Sequence, residues 1–190
     1  MFSDPAKLSV SLAFALLLAG RSVRVALRRR PWRIQNGPWQ TDLSLGSAKL
    51  GMYRRASLAR HSPLALRSAE ALYFVAESDS AGNKLRRGCS YCVVGRQIDS
   101  RWWSIAAYNN DRLIPNARNR YSYSDTTVRR RVDSGWIIHF SPREQSENWL
   151  PNASEDGDLK LVLRCYGPSP QLLENPAAAL LPQILPGLCP

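Results

Sequence analysis

The residues Leu159–Tyr166 constrain this chain more than any other segment. Leu159, Leu161, Leu163 and Cys165 fall on one side of an extended backbone, and Lys160, Arg164 and Tyr166 on the other. A period of two places successive side chains on opposite faces of a strand, so this pattern demands a sheet with one face against a core. Four further runs agree with it. Ala71–Glu77 is apolar and aromatic, Tyr91–Ile98 carries the β-branched Val93 and Val94, and Trp102–Tyr108 opens on two adjacent tryptophans that a strand sends to opposite faces. Gly135–Ser141 sets Trp136, Ile138 and Phe140 against Ile137 and His139. Turn signals separate the runs at 80–83, 109–111, 133–135 and 156–157. Short strands at such intervals, without helical periodicity between them, predict a mainly β protein, an antiparallel β-sandwich or jelly-roll-like domain.

Helix is expected only ahead of the strands. Ser47–Arg60 lacks proline and spaces Leu50, Tyr53 and Leu58 at roughly helical intervals, which predicts one or two short helices there. The tail from Pro168 carries six prolines. No strand or long helix is expected in it; it should wrap the domain and tuck Leu180, Leu181 and Ile184 against a flank.

Charge divides the chain in two. The formal net charge is +11, yet residues 1–60 contain 11 Lys/Arg against 2 Asp/Glu, while residues 61–190 contain 15 against 13. Six arginines (Arg21, Arg24, Arg28, Arg29, Arg30 and Arg33) lie within 13 residues, directly after the apolar run Leu8–Gly20. A nucleic-acid interface spreads Lys and Arg over a folded face. An apolar run flanked by arginines suits a bilayer interface instead, so the membrane is the expected partner and nucleic acid is not. The division gives residues 1–36 as a hydrophobic anchor helix with a basic juxtamembrane segment, and residues 37–190 as the β domain. Thirteen helical residues rise about 20 Å against a hydrocarbon core of about 30 Å, so the span needs its arginines to snorkel. Arginines on the C-terminal flank argue for a cytoplasmic domain by the positive-inside rule. No uninterrupted apolar run is long enough for a polytopic membrane protein, and the apolar content, 44% of residues, excludes wholesale disorder.

Reactive motifs are few. Cys89-Ser90-Tyr91-Cys92 is a CxxC, but it sits in strand pattern rather than at a helix N-terminus, and no second ligand pair stands at zinc spacing. A structural role is expected, with a disulfide to Cys165 or Cys189 if the domain is exported. His139 lies opposite the apolar face of its strand and has no Gly-x-Ser-x-Gly elbow to serve. Walker, GxGxxG and HExxH motifs are missing, so neither a metal nor a cofactor is expected. Two polar loops hold the candidate binding residues. Leu113–Val128 gathers amides, guanidinium groups and rings, among them Arg120 and Tyr121; Ser146–Asn152 places Asn148 and Trp149 together. Rings that stack beside directional amides suit a glycan or polar small molecule. The same residues would also serve to pin the loops, Asn148 and Arg120 by bonding backbone carbonyls and Trp149 by plugging one end of the domain. Asn152-Ala153-Ser154 fits the N-glycosylation sequon.

Several segments in one order carry a resemblance: GPWQT (37–41), EALYF (70–74), RWWSIAAYNND (101–111), LIPNARNRYSYS (113–124), SENWLPN (146–152) and LVLRCYGPSP (161–170). From Gly37 to about Pro186 the chain resembles the bacterial domain-of-unknown-function 1214 family. The resemblance implies a jelly-roll-like β domain, found either as one half of longer proteins or as a short free-standing form behind an N-terminal hydrophobic segment. This chain looks like the short form. Anchored members are taken to face the periplasm, against the arginine argument, and the periplasm is the expected location. The family assigns no catalytic residues. The expected function is therefore non-catalytic, a ligand- or partner-binding module of the bacterial cell envelope. The alternative is a hydrolase acting on a glycan- or ester-like substrate through Arg120, Tyr121, Ser124 or His139.

Overall fold

The computed structural model describes residues 10, 14–22, 34–47, 51, 66–152 and 157–189. These fall into two units. One comprises residues 1–31 and 48–65, the other residues 32–47 and 66–190. In the first unit, residue 10 and residues 14–22 are helical, and their side chains are exposed. No helix among the described residues is long and apolar enough to cross a membrane. The helix expected over 47–60 lies almost wholly outside the described residues.

The second unit is mainly β, with eleven strands in two sheets among the described residues. The larger sheet runs in the order β1 (Ile34–Asn36), β2 (Trp39–Thr41), β3 (Ala71–Ala76), β10 (Leu159–Pro168), β5 (Ser100–Asn109) and β6 (Arg112–Leu113), with β7 (Ser122–Ser124) also on β5. The smaller runs β11 (Gln183–Pro186), β4 (Tyr91–Gly95), β8 (Trp136–Ser141) and β9 (Trp149–Pro151). Every pairing is antiparallel except β8 with β9, which is parallel. All five expected strand runs form strands. The sequence signal for the β1–β2 hairpin is its turn: Gly37 has φ 55° and Pro38 follows it. Proline cannot take the second positive φ of a I′ turn, so the two-residue loop uses the II′ geometry with glycine first. This hairpin straddles the boundary expected between residues 36 and 37.

Alternation translates directly into burial. Leu159, Leu161, Leu163 and Cys165 are buried in the core, whereas Lys160, Arg164 and Tyr166 are not. The same core cluster takes Leu72, Phe74, Trp103 and Ile105 from the larger sheet, and Val93, Trp136, Ile138, Phe140 and Ile184 from the smaller. Trp103 and Trp136 stack at its centre, and Tyr91 stacks on Phe140 with centroids 5.9 Å apart. As its strand position requires, Trp102 takes the other face, where its ring meets Tyr166 at 5.3 Å.

The proline-rich tail departs from expectation. It contains a short helix, Pro170–Glu174, capped by the Ser169 hydroxyl and started by Pro170, and it ends in strand β11. Prolines do not prevent this strand because β11 is an edge, and only one of its sides needs donors. Ile184 is buried as anticipated and Leu181 is half-buried, but Leu180 stands exposed. Side chains near the N-terminal end of the unit hold the tail in place. Asn36 donates to the carbonyls of Pro176 and Ala179, and the Trp39 indole N–H donates to that of Pro182. A disulfide between Cys89 and Cys189 closes it.

Candidate functional site

The two polar loops singled out in the sequence meet beside strand β9. The first is folded on itself by Asn116, whose amide donates to the carbonyl of Arg120 at 2.9 Å and whose Oδ1 accepts from the Arg120 N–H at 3.2 Å. Asn119 takes a positive φ of 49° within this closed turn, a conformation asparagine tolerates better than most residues. Arg118 then ties the loop to the second one and to the two residues that lead into it. Its Nε donates to Glu144 Oε1 at 2.6 Å and its Nη2 to the Gln145 carbonyl at 2.8 Å, while the guanidinium lies 5.8 Å from the centre of the Trp149 ring.

Of the four candidate residues, two are buried. Asn148 is buried and fully used: its Oδ1 accepts from Arg129 N–H at 2.7 Å, and its Nδ2 donates to the carbonyls of Arg129 at 2.9 Å and Ile137 at 2.8 Å. Trp149 is buried beneath Arg118, donating from its indole to the Ser141 carbonyl at 3.0 Å. The Tyr123 hydroxyl accepts from the Trp149 backbone N–H at 2.9 Å, which fastens the two loops together. The other two face outward. Arg120 is exposed and sits over Tyr123 at 5.3 Å from the ring centre, and Tyr121 is exposed with its hydroxyl 3.5 Å from Asn119 Oδ1. Arg118, Tyr123 and Glu144 complete the arrangement without standing out in the sequence. Their only linear signal is membership of polar stretches, because the contacts that distinguish them cross more than twenty residues.

The groups considered for hydrolysis do not meet. Ser124 is buried, and its Oγ lies 3.2 Å from Thr126 Oγ1 and 3.0 Å from Thr127 Oγ1, a closed hydroxyl cluster. The ring of His139 is placed instead against Cys92, with Nδ1 3.8 Å from Sγ. Within the CxxC, Cys89 faces the core and bonds Cys189, while Cys92 is a free, half-buried thiol on the other face. Cys165 is a core thiol that burial pushes up to about 12. Asn152 of the sequon is buried too, its amide donating to the carbonyls of Arg86 and Cys89. A side chain enclosed in this way has no face for a glycan.

One cleft has no counterpart among the sequence motifs. About 350 Å³ in volume, it lies between the β4–β5 connection and the tail, with Ile98 and Leu172 buried in its lining and Gln97, Asp99, Gln171 and Asn175 exposed around it. Among the described residues, no group of three or more His, Cys, Asp or Glu side chains is assembled for a metal ion.

The β unit is thus a two-sheet, mainly antiparallel domain closed by a disulfide, with cross-braced loops at one edge. The chain belongs to the family described as proteins of unknown function (DUF1214), whose model matches residues 70–170, just over half of its length. Among solved structures, it is similar to the VPA0106 protein from Vibrio parahaemolyticus, with a TM-score of 0.60 and 20% identity over 99% of this chain and 47% of that one. An uncharacterised protein from Burkholderia cenocepacia gives a TM-score of 0.40 at 17% identity, over 97% of this chain and 43% of that one. The chain therefore spans about half the length of these solved structures. At such identities the first likeness speaks for the fold alone. No curated protein matches the sequence.

Proposed function

We propose that this protein is a non-catalytic ligand- or partner-binding module of the bacterial cell envelope, held to the membrane by the apolar segment Leu8–Gly20. The β unit acts as a jelly-roll-like sandwich that displays its loops on the periplasmic side. The observation that carries the location is the Cys89–Cys189 disulfide, since such bonds persist in oxidising compartments and are rare in the cytosol. It outweighs the arginine cluster, whose charges can settle among lipid headgroups.

The binding reading rests on the loops. Exposed Arg120 and Tyr121 offer a guanidinium and a phenol, side chains that suit a glycan or another polar small molecule. Asn148 and Trp149 serve the same site from beneath by fixing the loop, and a fixed loop loses little entropy when a ligand binds. Trapping thiols in intact cells and treating spheroplasts with protease tests the location. The bridge should be closed and the domain cut in spheroplasts; a reduced pair on a protected domain would sink the proposal. Binding is tested with Arg120→Ala and Tyr121→Ala on a glycan panel, where retention equal to that of the parent protein would remove these residues from the site.

A further inference from the structure

The outer face of the smaller sheet carries a row of directly paired residues, one from each strand: Leu185 on β11, Cys92 on β4, His139 on β8 and Trp149 on β9. The neighbours Tyr91, Val93, Ile138 and Phe140 point into the core, so Cys92 and His139 stand together on the opposite face, both half-buried. Their Sγ and Nδ1 atoms lie 3.8 Å apart. We propose that Cys92 and His139 form a two-donor binding site for a soft monovalent metal ion, copper(I).

Donor spacing is the first argument. Metal–sulfur bonds of about 2.3 Å and metal–nitrogen bonds of about 2.0–2.1 Å put two donors about 3.6 Å apart at a tetrahedral angle and about 4.4 Å apart when linear. At 3.8 Å the two donors fall about 0.6 Å short of the linear arrangement that a two-coordinate ion takes, an opening that rotation of the two side chains supplies. Donor type is the second. Thiolate sulfur selects soft ions, and imidazole suits copper. Coordination number is the third. Leu185 has no donor atom and the Trp149 indole N–H is already given to Ser141, so the flanks of the row offer no further ligand. Zinc and harder ions, which call for four or more ligands, are poorly served by two side chains between apolar walls. Copper(I) is content with two. Competition from other thiols is absent, because Cys89 and Cys189 are joined and Cys165 is fully buried.

Binding replaces the S–H bond of Cys92 with a sulfur–copper bond and releases that proton to solvent. His139 donates the Nδ1 lone pair while keeping its proton on Nε2, and copper stays in the monovalent state, so no oxidant or reductant enters.

The test uses the full chain with its disulfide closed, titrated anaerobically against copper(I) held by bicinchoninate. The parent protein should withdraw one equivalent and release about one proton per ion. Cys92→Ser should withdraw none at the same chelator concentration. His139→Asn should bind roughly tenfold more weakly or worse, since even supporting residues around a metal are worth that much. Tryptophan circular dichroism confirms that both variants are folded. Three results would overturn the site: no uptake by the parent protein, undiminished uptake by Cys92→Ser, or equal affinity in His139→Asn, which would mean an isolated thiol.

Discussion

Trp103 of the larger sheet stacks on Trp136 of the smaller, with ring centroids 4.7 Å apart and planes inclined by 28°. Both rings are fully buried, and the Trp136 indole donates to the Arg96 carbonyl at 2.9 Å, so Trp136 is held on its face and at its edge. Gly95 lies where a β-carbon would come within 2.3 Å of this ring. Trp136→Ala should cost about 3–5 kcal/mol, the range for emptying an aromatic site in a core. Gly95→Ala should also destabilise, because a doubly held ring cannot give way. Urea unfolding followed by tryptophan fluorescence measures both, and a neutral Gly95→Ala would show that the stack is mobile.

The bridge between Cys89 and Cys189 spans a sequence separation of 100 residues and fastens the edge strand β11 at its far end. Removing a link over so long a loop restores entropy to the unfolded chain, and about 2–5 kcal/mol of stability should go with it. Cys189→Ser should therefore melt roughly 5–15 °C below the parent protein. Dithiothreitol should have the same effect on the parent and none on the variant.

Buried Asn148 satisfies three part-buried backbone groups at once. Asn148→Ala removes all three bonds and should cost about 1–3 kcal/mol. Arg120→Ala removes an exposed side chain and should change stability by no more than about 0.5 kcal/mol. Thermal melts of the two variants separate the residue that braces the loop from the one available to a ligand.

The buried Cys165 thiol gives the domain an alkaline limit. Desolvation raises it from 9.0 to about 12, against a smaller opposing hydrogen bond from Ser100. Below pH 9 both folded and unfolded chains keep the proton and the contribution is complete. Between pH 9 and about 12 only the folded chain keeps it, so stability should fall by about 1.4 kcal/mol per pH unit from this group. Tyr73, also raised by burial, acts in the same direction from pH 10 upward. Urea midpoints for Cys165→Ala should decline less steeply with pH than those of the parent; equal slopes would show that Cys165 is not the source.

The local parts of this molecule are legible in the amino-acid sequence alone. Alternation in Leu159–Cys165 names the buried face, adjacent tryptophans go to opposite sides, and His139 falls away from the core. Each follows from the two-residue period of a strand, which a chain carries within itself. The candidate site is legible only in outline. Polar loops rich in amides and rings mark two segments that the fold braces together, yet nothing in Asn148 or Trp149 distinguishes a buried brace from an exposed contact, while Arg120 and Tyr121 face outward. The tail misleads for a related reason: proline discourages a strand in isolation, but β11 needs donors on only one side once β4 lies beside it. Partner choice is beyond the sequence altogether. Cys89 could join Cys165 or Cys189, and Cys92 meets His139 across 47 positions. Such pairings depend on the register between distant strands, which the packing of a shared core determines and no local pattern encodes.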